Sequence, residues 1–152
     1  MNRLVLALAT VGGVGYAPVA SGTVGSLLVL PLLPPLAALR DRQLPLALVV
    51  VAASIAIAIW AAGRAETILG GHDHGCIVID EVAGMLVAGL FVPATWLAAW
   101  LAFGLFRLFD VWKPFPAGLV DRRVAGGLGV VGDDLIAGLY AGIAARLVLE
   151  VL

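Results

Sequence analysis

Charge is what this sequence lacks most. Only 12% of its 152 residues are Asp, Glu, Lys or Arg, about half the share found in soluble domains, so each charge that is present asks for a reason. Nor does one sign dominate. Nine Lys and Arg stand against ten Asp and Glu, a formal net charge of -1, which offers no basic tail and argues against nucleic acid as a partner. Cys76 stands alone, so an internal disulfide is excluded and a buried apolar thiol is expected. What is abundant is hydrocarbon: 62% of residues are apolar and the mean hydropathy is +1.12. The chain reads as one membrane-embedded domain, residues 1–152. A signal peptide in "MNRLVLALATVGGVGYAPVASG" is disfavoured, because Gly12, Gly13 and Gly15 break the apolar stretch and the chain beyond it is itself membrane-like.

Apolar segments run over 24–39, 44–63, 82–92, 94–106 and 135–152. A spanning helix needs about 20 residues. The second and last segments are long enough, and the first becomes so if Gly22 and Thr23 open it, with Pro31, Pro34 and Pro35 kinking it. Between residues 82 and 106, Pro93-Ala94-Thr95 favours a turn, which predicts a hairpin of two short helices or a re-entrant pair. The expected architecture is therefore all-α, a multi-pass membrane helical bundle.

Such a hairpin returns the chain to the side it left. Asp80, Glu81, Arg107, Asp110, Lys113, Asp121, Arg122, Arg123, Asp133 and Asp134 then share one membrane face, and Arg40, Asp41 and Arg42 lie on the other. Counting cations, the acidic face holds Arg64, Arg107, Lys113, Arg122 and Arg123, against Arg40 and Arg42 with Arg146 as a candidate third. The positive-inside rule turns the acidic face to the cytoplasm.

Three acidic motifs carry the chemistry: "IDEVAG" with Asp80 and Glu81, "RLFD" with Asp110, and "VGDDLIAG" with Asp133 and Asp134. Converging carboxylates either share protons or bind a cation, and hard oxygen ligands suit magnesium. The competing reading of Asp133 and Asp134 is that they open a helix and cap its free N–H groups. Arg107, Asp110 and Lys113 follow one another at intervals of three along one helix side, either as an ion-pair ladder or as cations that hold phosphate oxygens beside a metal. "GGHDHG" reads as a loop in which His72 and His74 are candidates for proton transfer. "SGTVGS" places Ser21 and Thr23 at a helix opening, fit for an anion or for capping and close packing. "VAGGLGVV" reads as a mobile glycine loop. Absences narrow the chemistry further. No cysteine is followed five residues later by arginine, no Asp-x-Asp opens a strand and no Pro-Ser-Gly-His occurs, which leaves water activated by a metal.

"SGTVGSL", "HDHGCIVIDEVAGM", "FRLFDVWKPFP" and "DRRVAGGLGVVGDDLIAG", in that order, resemble the phosphatidylglycerophosphatase A (PgpA) family over about residues 12 to 142. These are bacterial membrane phosphatases that convert phosphatidylglycerophosphate to phosphatidylglycerol with magnesium. The resemblance implies an all-helical fold, a place in the bacterial inner membrane with the site facing the cytoplasm, and an acidic centre of Asp80, Glu81, Asp110, Asp133 and Asp134. Asp80, Glu81, Asp110 and Asp134 are the catalytic candidates, all five acids are metal-ligand candidates, and Arg107, Lys113, Arg122 and Arg123 join Ser21 and Thr23 as phosphate-binding candidates. Cys76 departs from the family in a small-residue position. The rival expectations are a phosphatase for another lipid or soluble phosphate ester, and a small transporter with intramembrane carboxylates.

Overall fold

The structure is a computed structural model that describes residues 1–71 and 74–151. Among these residues it is all-α, as expected, with no strand. Helix α1 (Asn2–Ala9) leads through a short 3-10 turn to α2 (Ser21–Val29), which continues through the 3-10 turn Leu30–Leu32 into α3 (Leu33–Arg42). The three prolines do not end this run. Each sits in the first positions of a helical segment, where a missing N–H leaves no hydrogen bond broken, so the chain stays helical past them. Ser21–Arg42 is thus 22 residues of apolar helix, and α4 (Leu44–Leu69) is 26; both are long and apolar enough to cross a membrane. Gly70, at φ 79°, ends α4 in the left-handed region.

The predicted hairpin is present as α5 (Ile79–Gly89) and α6 (Trp96–Trp112). Thr95 caps α6 by accepting a hydrogen bond from the Ala98 N–H at 3.2 Å. Across the turn, the Arg40 guanidinium donates to the carbonyls of Leu90 at 2.7 Å and Val92 at 3.0 Å, groups that the end of α5 would otherwise leave unpaired. Arg40 therefore marks the end of the bundle where α5 stops. The short α7 (Ala117–Arg123) and the long α8 (Gly127–Val151) complete the chain.

The packing is inverted relative to a soluble protein. Alanines fill the interior, among them Ala58, Ala61, Ala62 and Ala65 of α4 and Ala137, Ala141 and Ala145 of α8, whereas Leu46, Val49, Ile57, Trp60, Leu97 and Leu147 face outward. Small side chains let helix axes approach closely where hydrocarbon supplies no hydrophobic drive for burial. Helix α8 is the centre, packed against α4, α5, α6 and α7. It approaches α5 closely, where a Cβ on Gly138 would strike the carbonyl of Gly84.

The glycine stretch before the acidic pair is not a loop. Residues from Gly127 onward are helical, because Gly127 lies directly against the Ile59 carbonyl and Gly63 of α4. Tertiary contact that only glycine admits overrides glycine's poor helix propensity.

Candidate active site

Helices α5 and α8 start at the same end of the bundle, and α6 finishes there. One turn before their Gly84–Gly138 crossing, each places an aspartate: Asp80 on α5 and Asp134 on α8. A cavity of about 180 Å³ opens at this level, lined by Asp80, Glu81, Asp110, Asp133 and Asp134, by Lys113 and Asp121, and by Ser21, Gly75, Ile77 and Val130. Asp80, Asp133 and Asp134 are 7%, 5% and 3% exposed. Carboxylates so withdrawn from water require protons, cations or hydrogen bonds in compensation.

Part of that compensation comes from two basic residues. Arg107 Nη1 lies 2.8 Å from Asp110 Oδ2 and 3.9 Å from Glu81 Oε1, and donates to Ser26 Oγ at 3.3 Å. Gly22 of α2 lets this arrangement close, since a Cβ there would collide with Glu81 Oε1. Lys113 Nζ bridges Asp121 at 2.8 Å and Asp133 at 2.7 Å. Partial burial works against the Lys113 ammonium, but hydrogen bonds and charge from Asp121 and Asp133 outweigh it and raise its pKa above the ordinary lysine value. Glu81 Oε2 stands apart. It is fully buried and has no hydrogen-bond partner among the described residues, an arrangement that is costly unless a ligand meets it.

The donor set fits a hard divalent cation. Asp80, Glu81 and Asp134 each offer an oxygen within 4.8 Å of the others, and so do Asp110, Asp133 and Asp134. All are carboxylate oxygens, the ligand type such ions prefer, and Glu81, the residue with the orphaned oxygen, belongs to the first set.

Comparison with known proteins identifies the family. A family model described as Phosphatidylglycerophosphatase A matches residues 7–149. The chain belongs to the phosphatidylglycerophosphatase A family. It is 38% identical over 132 residues to Phosphatidylglycerophosphatase A of Escherichia coli, covering 85% of this chain and 74% of that one. To the protein of the same name from Haemophilus influenzae it is 42% identical over 74 residues, 48% of this chain and 45% of that one. A Putative phosphatidylinositol-3-phosphatase of Bacteroides thetaiotaomicron is 36% identical over 138 residues, covering 85% and 83% of the two chains. No solved structure matches the chain.

In this phosphatidylglycerophosphatase A family member, the five acids singled out from the sequence all line one cavity, and Lys113 and Ser21 line it with them. Other expectations need correction. Asp133 and Asp134 do not cap a helix: α8 begins at Gly127, so they lie in its second turn and point into the site. Lys113 does not extend the Arg107–Asp110 ladder. It caps α6 at φ 48° and turns to Asp121 and Asp133. Ser21 is no helix cap either, because its Oγ donates to the Gly75 carbonyl at 2.6 Å. Arg107 stands behind the acids, on Asp110 and Ser26, and Thr23 is half-buried outside the lining. Arg122 and Arg123 are exposed on α7, Arg122 donating to the Gly118 carbonyl at 2.8 Å. His74 Nε2 is buried without a partner, facing Gly71 rather than the cavity; His72 lies outside the described residues. Cys76 is half-buried and free. Asp121 is the lining residue whose part the sequence reading missed: its charge was placed at the right face, but nothing in "VDRR" distinguishes it from a solvated surface group.

Proposed function

We propose that this protein hydrolyses phosphatidylglycerophosphate to phosphatidylglycerol and inorganic phosphate with magnesium, at the cytoplasmic face of a bacterial inner membrane. The observation that carries this reading is the convergence of buried carboxylates from three helices at one end of an apolar bundle that belongs to this family. Bound magnesium, held by Asp80, Glu81, Asp110, Asp133 and Asp134, supplies charge neutralisation for the phosphate and a lowered pKa for attacking water. Lys113, the cation in the lining, meets a phosphate oxygen from the rim. Arg107 works one step back, holding Asp110 and Glu81 in place. Glu81 Oε2, with no partner of its own, accepts the water proton as the water oxygen bonds to phosphorus. The ester P–O bond breaks on the opposite side, and the departing glycerol oxygen takes up a proton from solvent.

The topology follows from position. The carboxylates lie where α5 and α8 begin, and Arg40 lies at the other end of α5, so the site sits at one headgroup level. The excess of Lys and Arg on the site's side supports the cytoplasm as that level.

A second reading comes from the Bacteroides relative, whose printed name specifies a phosphoinositide. Measuring phosphate release from phosphatidylglycerophosphate and from phosphatidylinositol 3-phosphate in mixed micelles, each with magnesium and with EDTA, separates the two. Release from the first substrate, abolished by EDTA, is expected. Preference for the inositol lipid would replace this reading, and undiminished release in EDTA would remove the metal from it.

A further inference from the structure

The acids of the site divide into two sets with one member in common. Asp80, Glu81 and Asp134 form one, Asp110, Asp133 and Asp134 the other. Among the described residues, Asp134 is the only acid in both and the most deeply buried aspartate, at 3% exposure. It sits on the central helix, one turn from the Gly84–Gly138 crossing, where the backbone has no room to shift it. Charge points the same way. Among the described residues, six carboxylates line the cavity with one cation, Lys113, and Arg107 stands behind them. The surplus is four formal negative charges, the charge of two divalent ions. A single ion in the first set would leave that surplus only half neutralised.

The two sets are also unequally provided for. In the second, Asp110 already has Arg107 at 2.8 Å and Asp133 has Lys113 at 2.7 Å. In the first, Glu81 has Arg107 only at 3.9 Å and one oxygen with no hydrogen-bond partner among the described residues. A cation entering the first set meets unneutralised carboxylates, and one entering the second competes with protein cations already in place.

We infer that the centre holds two divalent cations that share the Asp134 carboxylate, a tight one with Asp80 and Glu81 and a weak one with Asp110 and Asp133. The inference rests on the metal reading above and goes beyond it by fixing the number of ions, their order of affinity and the shared ligand.

Manganese(II) is the probe, because its free ion gives an electron paramagnetic resonance signal that disappears on binding. Titrating the metal-stripped full chain in detergent, without substrate, should consume two equivalents with clearly different affinities. D80N should keep only the weak site, D133N only the tight one, and D134N should impair both. Lys113→Met should tighten the weak site several-fold and leave the tight one unchanged. Helical circular dichroism and a monodisperse elution profile establish that each variant is folded. Should D134N fail that check, the wild-type stoichiometry and the opposite losses in D80N and D133N decide. Saturation at one equivalent overturns the inference, as does a folded D134N that keeps one site at wild-type affinity. Substrate is absent throughout, so the outcomes separate. Two bound ions without release from phosphatidylglycerophosphate sink the substrate reading alone, and magnesium-dependent release with a single bound ion sinks this one alone.

Discussion

Glu81 carries the sharpest prediction at the scale of single residues. Glu81→Gln keeps shape and removes charge, so phosphate release should fall by about 100-fold or more, the usual worth of a general base, with the circular dichroism spectrum unchanged. A near-normal rate would remove Glu81 from the chemistry. Lys113→Met leaves Asp121 and Asp133 without their shared partner, and kcat/KM should drop by about 10-fold or more, with Lys113→Arg recovering part of it; an unaltered kcat/KM in the Met variant would deny the ammonium its role. The raised Lys113 pKa sets the sign of its pH behaviour. Its contribution is complete below the ordinary lysine value and is lost only as pH climbs through the higher folded one, so no activity loss near neutrality traces to this group. The acids were legible in the sequence because a carboxylate in an apolar chain has few structural excuses. The direction of Lys113 was legible in principle as well: it precedes Pro114, and a residue before proline avoids the helical region, so the three-residue spacing from Asp110 ceased to apply where the helix stopped. Asp121 was not legible, because its only distinguishing feature is proximity to Lys113 across a turn that the sequence does not describe.

Between elements, the Gly84–Gly138 contact is the feature on which the site depends. Gly138→Ala sets a methyl group against the Gly84 carbonyl, and because the obstacle is backbone, α5 and α8 must separate. Misplacement of catalytic groups by about 1 Å is enough to cost about 100-fold in rate, so Gly138→Ala should lower kcat strongly while α4 and α6 keep their helical signal; full activity would show that the crossing does not set the Asp80–Asp134 relation. Arg40→Ala tests the opposite end. It strips two carbonyls of their donor and should cost about 2 kcal/mol of stability, read as a lower thermal midpoint in detergent, with kcat unchanged. A changed kcat would mean that the two ends communicate. The hairpin could be read from Pro93 and Thr95, since both act locally. The start of α8 could not, because Gly126, Gly127 and Gly129 look like a loop until α4 is laid against Gly127, and no local pattern announces that contact.

Over the whole molecule, apolar composition announced the membrane, and the structure adds how the bundle meets it: alanine inside, large hydrocarbons outside. On the proposed topology, a cysteine introduced at Asp41, in a variant that lacks Cys76, should react with impermeant maleimide added outside intact cells. Protection of that position, with labelling after lysis, would invert the topology. The lengths of apolar runs identified the long helices but not which of them lies central, since Ala137, Gly138, Ala141, Gly142 and Ala145 mark a closely packed face of α8 without saying how many helices meet it. The outward-facing hydrocarbon has a kinetic consequence. An enzyme embedded this way meets its substrate by lateral diffusion in two dimensions, so the concentration that governs turnover is the mole fraction of lipid phosphate in the surface. Diluting substrate with inert detergent at constant bulk molarity should slow the reaction, whereas adding water to the same micelles should scarcely change the rate per enzyme.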